Sequence, residues 1–424
     1  MQDYKLNVKA TLLLSFGFFA SQMAWTMYNS YVPKILEGFL SSTFLIGFIM
    51  VIDNIFGVLF QPLFGKLSDN TRSRFGRRMP YILIGLPVCA VLFAFIPYMS
   101  SVYMQSFFPL MLVLILFTFI MSIWRSPVIA IMPDLTPGPL RSQANGIVNL
   151  MGGIGAIIAL QAGGILYNYS LGKTGDGYPL PFLTVAISMM AALLIMIIFV
   201  REPKNAYEPE DKTKTVKVKL EKNEKKSLFL ILFGIFFWFA GYNAIETFFS
   251  LYITNTYEGM TAGDSSMTLA IFSLTFLAFA VPAGFIGARI GRRKAILIGL
   301  SCLIILFFPL ALFTNIWLTR GCLFLGGFSW AMVNVNSLPM VVRLSGEAKI
   351  GTFIGYYYTF SFSSQIVSPV LFGAIRDFVG HYKVLFLYAC IAFALAIISL
   401  IFVRHGEDTA SKTSAAEVLD GLGD

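Results

Sequence analysis

Three charged residues of this chain stand where charge is costly. Asp53, Arg125 and Glu246 each lie inside a long, predominantly apolar run. Ionisable groups in such runs are rare unless they handle an ion, a proton or a solute. Asp53 precedes Gly65, at the polar end of its run, by twelve residues, or about 18 Å at 1.5 Å per helical residue. Arg125 precedes Asp134 by nine, or about 14 Å. Both therefore fall near the centre of a hydrocarbon slab about 30 Å thick. A carboxyl at that depth suits a group that loads and releases a proton. A guanidinium there needs acceptors for its five donors; Asp53 is the expected partner, with ligand hydroxyls as competitors. Glu246 falls in the outer half of its run, with Arg320 as the expected partner. Fixed structural pairs would place the same residues equally well.

Uncharged polar residues surround these three. Gln22, Trp25, Tyr28 and Asn29 share one run, and Asn145, Asn149 and Gln161 another. Trp330, Asn334, Asn336 and Ser337 follow, and Tyr356, Tyr357, Tyr358, Thr359, Ser363, Ser364 and Gln365 crowd a fourth. Amides and hydroxyls beside flat aromatics suit a neutral polyol, whose hydroxyls need partners and whose CH face can stack. The candidate binding set is Gln22, Trp25, Tyr28, Asn29, Asp53, Arg125, Asn149, Trp330, Asn334, Tyr357 and Gln365. The competing explanation for each is an interhelical hydrogen bond.

The elements that must carry these residues are membrane spans. Charged residues make up 12% of the chain and hydrophobic residues 57%, a balance that no water-soluble shell accommodates. At about 20 residues per crossing, twelve spans are expected: 10–33, 42–64, 80–99, 107–131, 144–167, 180–200, 228–254, 266–288, 294–314, 316–341, 350–374 and 382–403. The formal charge of +9 is concentrated in alternate loops. This is the signature of topology, not of nucleic-acid binding, and puts both termini in the cytoplasm. The expected localisation is the cell membrane, multi-pass. Cys89, Cys302, Cys322 and Cys390 all lie within apolar runs, without metal or redox spacing, and no cleavable signal is expected. No cofactor or metal is expected.

The only long polar stretch, 201–226, divides the chain into an N-terminal six-helix bundle (1–200), this cytoplasmic linker and a C-terminal six-helix bundle (227–404), followed by a cytoplasmic tail (405–424). The halves echo one another. GRRMPYILIGL at 76–86 returns as GRRKAILIGL at 291–300. Trp124 and Pro133 return as Trp330 and Pro339, and Trp25, Tyr28 and Asn29 as Trp238, Tyr242 and Asn243. Such a repeat implies two bundles related by a pseudo-twofold axis, rocking around a site near the midplane. The basic hairpin between spans two and three brings together Gly65, Asp69, Arg77 and Arg78, with Asp134 nearby and Arg292 in the second copy. It is expected to act as a conformational latch that holds the outward-open state by ion pairs.

With these residues in view, the chain resembles the major facilitator superfamily over all twelve spans. GKLSDNTRSRFGRR is similar to the superfamily's Gly-x-x-x-Asp-Arg-x-Gly-Arg-(Arg/Lys) loop, with NTRSRF in an inserted form. That form, followed by PYILIG, resembles the glycoside–pentoside–hexuronide:cation symporters and the sucrose/proton symporters, and WRSPVIAIMPDLTPGPLRSQANG at 124–146 is similar to the span 4–5 stretch of the sucrose-symporter group. The resemblance implies an all-α membrane protein and a sugar substrate. Two departures stand out: Gly57 and Gln61 replace the paired span-two aspartates of the melibiose-permease type, and Thr118 replaces the span-four aspartate of plant sucrose symporters.

The leading expectation is a proton-coupled symporter of a sugar, in particular a glucoside disaccharide, with Na+ as the alternative ion and the lipid bilayer as the other partner. A monomer is expected. The alternatives are a facilitator or exporter of another small molecule, and a non-transporting sensor. GGIGAIIALQAGG at 152–164 has Ala156 and no proline, unlike the Gly-Pro motif of drug/proton antiporters. An enzyme is not expected, because no nucleophile–base pair, phosphate loop or metal cluster is present.

Overall fold

The computed structural model describes residues 6–100, 105–137, 140–202, 222–343 and 350–403. Most of the expected linker and the whole expected tail lie outside the described residues. Among the described residues fourteen helices make up the twelve expected spans. Span one is α1 (Val8–Leu14) plus α2 (Phe16–Glu37), interrupted at Ser15; span two is α3 (Thr43–Met50) plus α4 (Ile52–Asn70), interrupted at Val51. Single helices make the rest of the first half: α5 (Met79–Ser100), α6 (Phe107–Leu135), α7 (Arg141–Thr174) and α8 (Pro179–Phe199). The second half holds α9 (Lys222–Thr256), α10 (Ala262–Ile290), α11 (Arg292–Leu312), α12 (Ile316–Arg343), α13 (Ile350–Val379) and α14 (Val384–Ile401). Most observed helices overrun the expected spans by a few residues, because helices project past the hydrocarbon into the headgroups.

Local chemistry sets several ends. Gly175 closes α7 in the left-handed conformation at φ 77°, and α8 starts on Pro179, which needs no amide partner there. Thr261 and Asp264 form a reciprocal capping box at the start of α10. Ten helical rods among the described residues are long and apolar enough to cross a membrane by that criterion alone. The two spans outside that set, α2 and α13, are interrupted by polar residues such as Gln22, Asn29, Ser363 and Gln365.

Packing repeats between the halves. In the first, α2 lies on α7 and α8, α6 on α4 and α5, and α5 on α8; in the second, α9 lies on α13 and α14, α12 on α10 and α11, and α11 on α14. Each contact recurs six spans later, which makes two pseudo-symmetric six-helix bundles. The backbone repeats too: Gly76 at φ 104° and Gly291 at φ 97° open the same turn before α5 and α11, a conformation that favours glycine.

The halves meet through α7 against α10, α3 against α13 and α2 against α9. The tight crossings lie away from the basic loops. A Cβ on Gly373 would sit 2.5 Å from the Thr43 carbonyl oxygen, and one on Gly164 would sit 2.6 Å from that of Gly263. Only glycine permits such backbone approach. Towards the basic loops, α4 touches α13 only lightly, so the molecule is sealed at one face and parted at the basic one.

Candidate functional site

Between the halves lies a cavity of about 1170 Å³. Its lining runs from Asn29 and Glu246, deep in the molecule, to Gly65, Lys66 and Asp69 at the basic end, where it opens. Of the expected binding set, Gln22, Trp25, Asn29, Asp53, Arg125, Asn149 and Gln365 line it together. Trp330 lines a smaller adjoining chamber. Asn54, Gln61 and Asn145 add further amides.

Asp53 owes its place to the interruption at Val51. The new helix α4 begins there, with Asp53 in its first turn, and the carboxylate accepts a 2.6 Å hydrogen bond from the Asn54 backbone N–H. The positive end of the α4 dipole and this donor stabilise a group that is only 9% exposed. Arg125, from the middle of α6, does not form the expected ion pair with it. Its Nη2 instead donates to Gln22 Oε1 at 3.5 Å, and its guanidinium lies 5.6 Å from the Trp25 ring centroid. The helix start gives Asp53 a local partner, which leaves Arg125 to span one.

The expected Glu246–Arg320 pair is also absent. Arg320 lies over the Trp317 ring at 5.0 Å, at the far end of α12. Glu246 Oε1 accepts from Asn29 Nδ2 at 3.4 Å, joining the two halves through α2 and α9. Three further expectations fail on orientation. Tyr28 packs in the first-half core, stacked on Phe117 at 5.6 Å. Tyr357 is hydrogen-bonded to Ser337 at 3.0 Å, and Asn334 lines neither cavity. Asn336 ties α12 to α10 through the Ala283 carbonyl at 3.1 Å.

The cavity wall holds buried donors without acceptors. Arg125 Nε, Trp25 Nε1 and Asn243 Nδ2 have no hydrogen-bond partner, and all three residues line the cavity. Each of these three atoms is itself shut off from the cavity, and unpaired buried polar atoms also occur away from it, at Ser21, Trp124 and Trp238 among others, so they do not by themselves mark a ligand contact. Tyr242, Asn243 and Thr247 of α9 and Tyr358 and Phe362 of α13 complete the wall. The repeat could have nominated Asn243, the counterpart of Asn29.

At the basic face Gly65, Asp69, Arg77, Arg78 and Asp134 cluster, but their ion pairs stay within the first half and are formed while this face is parted, so they are not the expected lock on the outward-open state. Arg78, 5% exposed, pairs with Asp69 and donates through Nε to Asp134 Oδ2 at 3.0 Å. Its Nη1 reaches Ser68 Oγ at 2.5 Å and the Gly65 carbonyl at 3.2 Å. Arg77 Nη2 holds the other Asp134 oxygen at 2.8 Å. Glu202, just past α8, had not been expected in this cluster. Its carboxylate accepts from the backbone N–H groups of Arg77 at 2.7 Å, Arg78 at 3.0 Å and Met79 at 2.7 Å, capping α5. The signal was a helix start with no acceptor of its own. In the second half, Arg292 opens α11 and Arg293 caps α14 through the Leu400 and Ile401 carbonyls at 2.9 and 2.8 Å. Arg292 thus belongs to the second copy.

The sealed face carries a clasp between the halves. Asp377, near the end of α13, accepts from Ser42 Oγ at 2.7 Å and from the backbone N–H groups of Thr43 at 2.8 Å and Phe44 at 3.0 Å. It thereby caps the start of α3.

The family model described as Major Facilitator Superfamily matches residues 14–263 and 257–420. The chain belongs to the Major Facilitator Superfamily. Among its relatives, the multidrug resistance protein MdtG of Proteus mirabilis (strain HI4320) is 30% identical over 201 residues, a match covering 45% of this chain and 48% of that protein. The chain thus spans about half the length of this relative. The class H tetracycline resistance protein of Pasteurella multocida is 24% identical over 403 residues, covering 90% of this chain and 92% of that one. Among solved structures, the nucleoside transporter NupG superposes with a TM-score of 0.69 at 14% identity, covering 93% of this chain and 100% of that one. A bacterial homologue of the human lysosomal transporter Spinster, inward-facing and unoccupied, gives 0.68 at 14% identity, covering 94% and 95%. These structures support the transporter fold.

Proposed function

We propose that this superfamily member is a proton-coupled symporter of a neutral, hydroxyl-rich solute, a sugar and in particular a glucoside disaccharide, working by alternating access. The carrying observation is one cavity lined by the amides of Gln22, Asn29, Asn54, Gln61, Asn149 and Gln365 together with Arg125. Sugar hydroxyls pair with amides and a guanidinium, whereas a purely apolar drug leaves those that it desolvates unpaired at about 1–3 kcal/mol each. In this reading the basic face is cytoplasmic, as are both termini, the linker 201–226 joins two rocking bundles, and the protein works as a monomer in the cell membrane. The sealed far face and open basic face make the conformation inward-facing.

Asp53 is the proton carrier in this scheme. When it is protonated, a negative charge is removed from the cavity wall it shares with Arg125, and Arg125, held here by Gln22, turns its donors to solute hydroxyls; solute and proton load together. Glu246, tied to Asn29, reports occupancy of the site to the other half. The basic-face cluster of Asp69, Arg77, Arg78 and Asp134 keeps the feet of α4, α5 and α6 rigid as one half moves. The test is sugar-induced proton uptake in proteoliposomes. Asp53→Asn should abolish it while sugar counterflow persists; proton uptake at the normal stoichiometry would move the coupling role to Glu246.

A second reading, export of an amphiphilic drug, rests on the kinship with resistance proteins over most of the chain. Accumulation of tetracycline in inverted vesicles, with no counterflow of any sugar, would favour it.

A further inference from the structure

The two copies of the basic turn differ in one respect. In the second half α10 runs to Ile290, Gly291 makes the turn, and α11 starts at once on Arg292. In the first half α4 ends at Asn70, and residues 71–75 intervene before Gly76 makes the same turn. The turn itself therefore needs no such segment. The extra residues are nonetheless held in place. The Thr71 and Tyr81 hydroxyls are hydrogen-bonded at 2.8 Å. Ser73 Oγ donates to the Gly76 carbonyl at 2.6 Å and accepts from the Phe75 N–H at 3.1 Å.

The segment joins charge to apolar surface. Arg72 and Arg74 are exposed, and among the described residues neither meets a carboxylate, because Asp69 and Asp134 are taken by Arg77 and Arg78. The Arg74 guanidinium lies 4.6 Å from the centroid of the Phe75 ring, which is itself 51% exposed. Apolar stripes lead to this place along both flanking helices. Leu59, Leu63 and Leu67 of α4 are exposed outside the cavity lining, as are Ile84, Val88 and Val91 of α5. A merely solvated loop accounts for the arginines but not for an exposed ring that one of them covers. We propose that residues 71–75 are a binding site for the headgroup of an anionic phospholipid, with Arg72 and Arg74 on its phosphate and its acyl chains along the two stripes. The planar fork of arginine suits a phosphate, and phenylalanine buries at the boundary between headgroups and chains. Anionic lipids belong to the cytoplasmic leaflet, which this loop faces in the proposed topology. A free phosphate or a phosphorylated protein would use the arginines and leave the stripes idle. The site is independent of which solute is carried.

The experiment is native mass spectrometry of the purified full chain, titrated with phosphatidylglycerol or with phosphatidylcholine of the same acyl chains. Each arginine near an anionic headgroup is worth about fivefold at low salt, so phosphatidylglycerol should half-saturate at a concentration at least about tenfold lower. Arg72→Gln with Arg74→Gln should bring that ratio close to one and leave phosphatidylcholine binding unchanged. Arg289→Gln, in the last turn of α10 before the second copy, should leave the ratio as it was. Phe75→Trp carries the test if the double variant does not fold. Its added fluorescence in vesicles should be quenched more by brominated phosphatidylglycerol than by brominated phosphatidylcholine at the same mole fraction. Equal affinity for the two lipids in the unmodified protein, a ratio unchanged in the double variant, or equal quenching by the two brominated lipids would overturn the site. Displacement of phosphatidylglycerol by equimolar inorganic phosphate would make it a free-anion site and overturn the lipid assignment.

Discussion

Removing the Asp377 clasp should release the sealed face. In this conformation its carboxylate accepts three hydrogen bonds from the start of α3, at 2.7, 2.8 and 3.0 Å, across the boundary between the halves. Replacing a helix-capping acceptor by alanine costs about 0.5–2 kcal/mol. The Asp377 side chain is 27% exposed, so water takes over some of the lost bonds, and we take ~1–2 kcal/mol, a factor of about 5–30 in an equilibrium. Asp377→Ala should therefore raise the ratio of molecules open at this face to molecules closed by that factor. Spin labels at Leu45 of α3 and Phe378 of α13, both exposed, on a background without the native cysteines, would report it as growth of a longer-distance population. Ser42→Ala, which removes one of the three donors, should move the ratio less. An unchanged distance distribution in Asp377→Ala would refute the argument, because the clasp would then contribute nothing that water does not replace.

The same residue sets a pH expectation. Burial works against the Asp377 charge, but the hydrogen bonds from Phe44, Ser42 and Thr43 outweigh it and hold the carboxyl below its ordinary value of 3.8. The clasp is therefore at full strength above that value and is lost only as pH falls through the lowered one. Between roughly pH 5 and 8 it stays charged in both conformations, so Asp377→Asn should leave the shape of the uptake–pH profile unchanged there; a displaced profile would sink this assignment. Glu202→Ala removes the acceptor of three α5 amides and should cost about 1–2 kcal/mol, seen as a lower Tm with sugar binding within a few-fold; an unchanged Tm would refute the capping role. Arg125→Ala should lose sugar binding at equilibrium more than tenfold, and retention of normal affinity would dissociate Arg125 from recognition.

The spans and the two halves were legible because both are long-range patterns: about twenty apolar residues per crossing and a repeat between the two halves tolerate local error. The site was legible in depth but not in direction. Asn29 lines the cavity, while Tyr28, about 100° away round the same helix, is packed on Phe117. Likewise Tyr358 lines the cavity and Tyr357 bonds Ser337. Rise per residue placed Asp53 and Arg125 at one level, yet the interruption at Val51 gave Asp53 a helix start to rest on, and no spacing rule contains that. The clasp joins residues 42–44 to 377, a long-range contact that neither motif nor periodicity announces. Glu202 was hidden by its neighbours, since the polar run after span six reads as linker from its composition.

The glycine crossings at the sealed face bear on speed more than on balance. Where Gly373 meets the backbone of Thr43 and Phe44, and Gly47 that of Pro369, α3 and α13 touch backbone to backbone. Parting them requires no rotamer to change before the helices separate, so the barrier to opening stays low even though the contact is close. The Asp377 clasp shifts how often the face is closed, while the glycines limit how long each passage takes. In a carrier whose turnover includes opening and closing this face once per cycle, the small residues at the seam act as a bearing.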